Sequence, residues 1–203
     1  MFRNSHTRMT ALSDGVFAIV LTIMILNITP PKVINWSKIE QLITELSVYF
    51  ISFGVVAQYW IFHQELLSHL KRPPTKFLIL NMYYLCLVCL TPFATTLLSD
   101  DLFSRFNTIF FAAIILSVDF VQFILFRLAI GIWQDRGITP NLHDLEEYRS
   151  TIVMFILSIL YVLTAILFPP ALLIIIFAGF FIRSALSRYI RRRAEQKETS
   201  SKS

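Results

Sequence analysis

The sequence predicts an all-α integral membrane protein, built as a bundle of six transmembrane helices. Hydrophobic residues make up 56% of its 203 residues and charged residues only 15%, and the mean hydropathy of +0.65 is too high for an ordinary soluble domain. Lysine and arginine fall mainly in loops and tails between long apolar runs. Charge in those positions orients a chain in a bilayer, so the net charge of +5 does not predict binding to nucleic acid.

The apolar runs are long enough to cross a membrane, because a helix of roughly 20 residues spans a hydrocarbon core about 30 Å thick. Proline pairs end the first run at 30–31 and the second at 73–74, because proline lacks an amide hydrogen and clashes with the preceding turn. Helices are therefore predicted near residues 9–29, 39–66, 76–98, 104–133, 149–168 and 171–190. Together they form one transmembrane domain, 1–190, and residues 191–203 form a basic polar tail.

Residues 151–182 carry no charge and fit either two helices or one long tilted helix. Pro169 and Pro170 favour two helices joined by a turn. With six spans and both termini in the cytoplasm, all the lysines and arginines except Lys32, Lys38 and Arg105 lie on the cytoplasmic side, as the positive-inside rule demands. The prediction is a multi-pass protein of the cell membrane whose surroundings are the lipid bilayer.

Residues that carry chemistry are sparse. The four histidines are scattered, and the sequence contains neither a glycine-rich phosphate loop nor a recognisable nucleophile motif. Cys86 and Cys89 lie inside the third apolar run without a second cysteine pair, so packing in the interior is expected rather than metal binding. The sequence therefore predicts a protein that is not an enzyme and has no resident metal or cofactor.

A carboxylate at the start of the first apolar run is the most informative residue. Asp14 precedes a stretch, 15–28, without any ionisable side chain, and a charge in that position is costly unless it has partners. In the predicted topology Asp14, His63 and Asn81 lie at the same depth, toward the cytoplasmic face. One hypothesis is that Asp14 accepts hydrogen bonds from Trp60, His63 or Asn81, with Arg8 as a counter-charge.

The alternative is that Asp14 is a hydrated residue at a helix start. Ser13 or Asp14 would then satisfy the free amides of the first turn and interact favourably with the helix dipole. The residues alone leave both interpretations open.

The pattern R-x-x-x-L-S-D, formed by Arg8, Leu12, Ser13 and Asp14, resembles the R-x-x-x-F-S-D motif of the transmembrane protein 175 family of potassium channels, known in prokaryotes and lysosomes. Leu12 is a departure from that motif, since it keeps an apolar contact but lacks the phenylalanine ring. Further positions that resemble the family are Trp60 and His63 in a W-x-x-H pattern, Asn81, and Pro92 with Phe93.

The resemblance implies a homotetramer in which the first helix of each subunit lines a central pore. Matching the family position by position assigns the pore and its selectivity to Ile19, Thr22, Ile23 and Leu26. Residues at i, i+3, i+4 and i+7 share one helix face, which agrees with that assignment. Without the resemblance, packing of these side chains against lipid or a neighbouring helix remains open. The polar network that would position the helix comprises Arg8, Ser13, Asp14, Trp60, His63 and Asn81.

The implied function is a channel with modest preference for potassium over sodium. A ring of aliphatic side chains narrows and dries the path, with Ile19 as the tightest ring, and Thr22 supplies hydroxyls near which a potassium ion passes transiently. Two alternatives stay open: a secondary transporter that carries a cation or proton on Asp119, and a membrane scaffold in which polar residues only join helices. The absence of an apparent inverted repeat disfavours the transporter.

Overall fold

The described part of the chain is all-α, as predicted. The computed structural model describes residues 5–28, 30–68, 70, 73–137 and 142–182. The remainder of the sixth predicted helix (183–190), the tail (191–203) and the basic residues Arg3, Lys71 and Arg72 lie outside these residues. Among the described residues the helices are α1 Ser5–Ile23, α2 Trp36–Ser68, α3 Thr75–Cys89, α4 Thr91–Asp100, α5 Arg105–Asp135, α6 Leu142–Leu167 and the shorter α7 Pro169–Ile182.

Five helical stretches of the described chain are long and apolar enough to cross a membrane. They are His6–Asn27, Trp36–Leu67, Thr75–Asp100, Arg105–Asp135 and Leu145–Leu167. The segment α7 is also apolar, but its described part is shorter than these. Together with the composition, these stretches identify a multi-pass membrane protein.

Three of the predicted helices differ in detail from those observed. The fifth, predicted near 149–168, begins seven residues earlier, as α6 Leu142–Leu167. The third predicted helix, 76–98, consists of α3 and α4, which are separated at Leu90. The cause is Pro92 in the first turn of α4, since proline cannot donate to the turn before it. The first helix does not continue to residue 29 as an α-helix, because its last turn, Met24–Asn27, has the tighter 3-10 conformation.

The helices pack so that α1 lies at the edge of the bundle. The most extensive contact joins α5 to α6, while α4 packs on both α5 and α2. Helix α1 packs mainly against α2 and α3. The largest side chains that are fully buried between these helices are Phe17, Tyr59, Phe62, Phe77, Tyr84 and Phe111.

The expectation that both cysteines pack in the interior is wrong. Cys86 and Cys89 are exposed on the surface of α3 in this chain. The helix instead buries Tyr84, Leu85 and Val88, which lie on another face.

The contact between α2 and α7 leaves little room at Gly54. A Cβ atom added there would lie 3.1 Å from Cζ of Phe180, closer than such atoms normally approach. At Gly131 of α5, by contrast, nothing lies within 4 Å of an added Cβ atom.

We predict that Gly54→Val destabilises the fold by about 1–3 kcal/mol, the usual effect of overpacking a filled core. Gly131→Val is the matched control and should leave the melting temperature nearly unchanged. Thermal unfolding of both variants in detergent micelles checks the prediction. Equal melting temperatures for the two variants would contradict the packing of α7 on α2.

Candidate functional site

Helix α1 has one buried face and one exposed face. This separation follows from packing, since the helix is apolar around its whole circumference after Gly15. The neighbouring helices cover only one side of it. The residues of α1 and its 3-10 turn buried against them are Met9, Ser13, Phe17, Val20 and Met24.

The four residues assigned to the pore all lie on the exposed face. Ile19 is 58% exposed, Ile23 44% and Leu26 76%, and Thr22 is also exposed. Leu26 lies in the 3-10 turn, where residues three apart eclipse each other, so it stacks directly beyond Ile23. The structure therefore brings these four side chains together in one stripe that no other described part of the chain covers.

The hydroxyl of Thr22 is oriented by the helix backbone. Its Oγ1 donates to the carbonyl oxygens of Ala18, at 2.8 Å, and Ile19, at 3.0 Å. Because the hydroxyl hydrogen is engaged there, the oxygen lone pairs remain available as acceptors. An oxygen that can only accept is suited to a cation rather than to an anion.

Asp14 is held by two side chains of α2. Trp60 Nε1 donates to Asp14 Oδ1 at 3.0 Å, and Gln64 Nε2 donates to the same oxygen. Trp60 and Gln64 are four residues apart and therefore lie on the same face of α2. Hydrogen bonds to a carboxylate are stronger than those between neutral groups, so this contact fixes the middle of α1 against α2.

A second, fully buried contact joins α1 to α3. Asn81 Nδ2 donates to Ser13 Oγ at 3.3 Å, and His63 Nε2 lies 2.7 Å from Asn81 Oδ1. In this arrangement the Nε2 atom carries the proton and donates it to the amide oxygen. Ser13, His63 and Asn81 are each at most 1% exposed.

The polar network thus differs in two respects from the one expected. Of the three donors considered for Asp14, only Trp60 bonds to it. His63 bonds to Asn81 instead, and Asn81 donates to Ser13. Gln64 was missed, although its spacing from Trp60 is a pattern that the sequence shows.

Arg8 does not join the bonded group of described residues. It is exposed on α1. Six helical residues correspond to about 240° of rotation and a rise of about 9 Å, so Arg8 and Asp14 lie on different faces of the helix. The expected counter-charge role of Arg8 in the subunit therefore has no support from the contacts.

Asp119 lies in a different region, inside the bundle of α2, α5, α6 and α7. It is 2% exposed and borders a cavity of about 10 Å³ together with Tyr59 and Tyr161. A cavity of that size holds about one water molecule. Its location away from the exposed stripe of α1 favours a role in joining the helices.

Comparison with known proteins agrees with the resemblance found in the sequence. Residues 8–92 match the family model described as endosomal/lysosomal potassium channel TMEM175. A protein named potassium channel from Chryseobacterium is 32% identical over 98 residues, which are 48% of this chain and 51% of that protein. A protein with the same name from Streptomyces collinus is 32% identical over 103 residues, 49% of this chain and 50% of its own length.

The fold has a counterpart among solved structures. It matches the crystal structure of a lysosomal potassium-selective channel TMEM175 homolog from Chamaesiphon minutus with a TM-score of 0.62. The match covers 94% of this chain and 98% of that one, at 22% sequence identity, and establishes a common fold.

These findings bear out the predicted resemblance to the transmembrane protein 175 family, whose model matches residues 8–92. The matched segment includes the first-helix motif, Trp60, His63 and Asn81. The chain spans about half the length of the curated relatives it matches. The family and these relatives are named as channels, which agrees with the prediction of a protein that is not an enzyme.

We predict that Asn81→Leu lowers the stability of the fold, because it leaves the buried Ser13 and His63 without their partner; each such loss costs about 1–3 kcal/mol. Asn107→Leu is the control, since the Nδ2 atom of Asn107 bonds to Asp101 at an exposed site. Melting temperatures in detergent are compared. A smaller loss for Asn81→Leu than for Asn107→Leu would show that the buried network contributes little.

Proposed function

We propose that this protein is a potassium-permeable cation channel whose pathway runs along the exposed face of α1. The observation that carries the proposal is the division of α1 into two faces, one held by buried polar contacts and one uncovered. The names of the family and of the bacterial relatives support the choice of potassium.

The location of α1 at the edge of the subunit is the argument for an oligomer. A path along its exposed stripe is open on one side in a single subunit, so other copies must complete it. We propose a homotetramer with four α1 helices around the axis, as the resemblance implies. Each of Ile19, Thr22, Ile23 and Leu26 would then form a ring of four side chains.

The rings differ in what they offer to an ion. Aliphatic rings at Ile19, Ile23 and Leu26 narrow the path and disfavour water, so an ion must lose part of its hydration shell there. The Thr22 ring supplies acceptor oxygens that replace some of the lost water. Because potassium is larger and more weakly hydrated than sodium, it loses water at lower cost, and modest selectivity for potassium follows.

The polar network sets the angle of α1 relative to the rest of the subunit. With Asp14 bound to α2 and Ser13 bound to α3, the helix is held away from the axis. If the helix were released, the apolar rings would approach each other and expel water from the path. We therefore assign to the network the support of the open state.

We also propose a location and partners for this protein. We place the protein in the cell membrane with both termini in the cytoplasm, because that topology puts most of the basic residues inside. Its partners are other copies of itself, the lipid bilayer and potassium ions that pass through. No resident cofactor or metal is required.

We predict that two substitutions on the exposed face change ion flux in different ways. Thr22→Val removes the acceptor oxygens and should reduce the preference for potassium over sodium. Ile19→Ala widens the tightest ring and should increase leak. Liposomes that contain the purified protein and a potassium gradient provide the measurement.

Matched controls lie on α2. Thr44→Val is the control for Thr22→Val, because the hydroxyl of Thr44 also bonds to its own helix. Ile43→Ala is the control for Ile19→Ala, because both isoleucines are 58% exposed. Neither control should alter the flux. Indifference of the flux to both α1 substitutions would contradict the proposed pathway, and saturable coupled uptake would indicate a carrier instead.

A further inference from the structure

A tyrosine on α3 lies behind the polar network and contacts both the network and α1. Tyr84 is fully buried. Its ring stacks on that of His63, with centroids 5.4 Å apart and an angle of 4° between the planes. The ring of Phe17, on the buried face of α1, lies 6.2 Å from the Tyr84 ring and 5.6 Å from that of His63.

The hydroxyl of the same tyrosine reaches a fourth helix. Tyr84 Oη donates to Gln122 Oε1 of α5 at 2.9 Å, and Gln122 is 2% exposed. The Nε2 atom of Gln122 has no hydrogen-bond partner among the described protein atoms. The contact with Tyr84 is therefore the hydrogen bond that this amide makes within the described chain.

These contacts connect α1 to α5 although the two helices are separated by the network. The path runs from Ser13 through Asn81 and His63, across the stacked rings, and on to Gln122 through Tyr84. Helix α5 forms the most extensive helix contact of the subunit, with α6. It is thus a firm support against which a helix at the edge can be held.

We propose that Tyr84 and Gln122 are positioning residues for the conducting pathway, which hold α1 in its open orientation from α5. This inference rests on the proposed channel function. Neither residue lies on the exposed face of α1, so neither is expected to contact an ion. Their effect is on how often the pathway is open rather than on which ion passes.

Removing one partner of the Tyr84–Gln122 hydrogen bond affects stability differently from removing both. A buried acceptor without its donor is unfavourable, whereas replacing both groups by apolar side chains of similar shape is nearly neutral. Tyr84→Phe leaves Gln122 Oε1 unpaired, and Gln122→Met leaves the Tyr84 hydroxyl unpaired. The double variant has neither unpaired group.

The test is single-channel recording of the full-length protein in planar bilayers. We expect each single variant to lower the open probability about five- to tenfold, as the loss of one buried hydrogen bond predicts, with unchanged selectivity between potassium and sodium. We expect the double variant to lower the open probability as much as each single variant, because it also lacks the hydrogen bond to α5, whereas its melting temperature should return toward that of the wild type because it has no unpaired group. Tyr83→Phe is the matched control, because Tyr83 is the neighbouring tyrosine and is 65% exposed.

A second measurement does not depend on current. Hydrogen exchange of the α1 backbone in lipid nanodiscs should be faster in Tyr84→Phe than in the wild type and unchanged in Tyr83→Phe. If the wild type conducts but the single variants match the Tyr83→Phe control, the positioning role is wrong. If the wild type carries no current, the channel proposal fails, and the exchange rates alone decide whether these residues hold α1: unchanged exchange would overturn the inference.

Discussion

The architecture depends on hydrogen bonds that hold the middle of α1 against its neighbours. Between helices in a bilayer the hydrophobic effect supplies little preference, because lipid tails are as apolar as the side chains they contact. A helix as uniformly apolar as α1 would therefore have a poorly determined rotation. Asp14 bound by Trp60 and Gln64, and Ser13 bound by Asn81, remove that freedom, because each bond is formed in one orientation only.

The orientation fixed in this way decides what the remaining face presents. Each helical residue turns by about 100°, so a rotation by one position would bury Thr22 or Ile19 and expose a different set of side chains. The contacts in the middle of α1 thus control the composition of a surface that begins about one and a half turns further along the helix. Polar contacts that carry no ion are for this reason as important to the proposed pathway as the side chains that line it.

The sequence allowed part of this site to be predicted, and the reasons are physical. Asp14 and Asn81 are conspicuous because polar groups in apolar runs need partners, and their depth could be estimated from the ends of the helices. Arg8 was assigned to the network by its charge and its place in the first-helix motif, although its spacing from Asp14 puts it on another face. Gln64 and Tyr84 were missed, the first because several donors competed for one carboxylate and the second because a buried tyrosine resembles ordinary packing.

The fold shows the same pattern. The all-α fold was predictable, because long apolar runs in the sequence form helices in a membrane. The division of the third predicted helix at Leu90 was harder to predict, because Pro92 interrupts a run that is otherwise continuously apolar. The exposure of Cys86 was also not evident, because an apolar run does not reveal which of its faces is covered.

In the proposed channel, the uncovered face of α1 is the wall of an aqueous path. The most direct measurement is reaction of single introduced cysteines with a small, charged thiol reagent, in a variant in which Cys86 and Cys89 are replaced by alanine. We expect reaction and loss of potassium flux for cysteines at positions 19, 22, 23 and 26, and protection at 17, 20 and 24. Protection at all of the first four positions, or equal reaction on both faces, would contradict it.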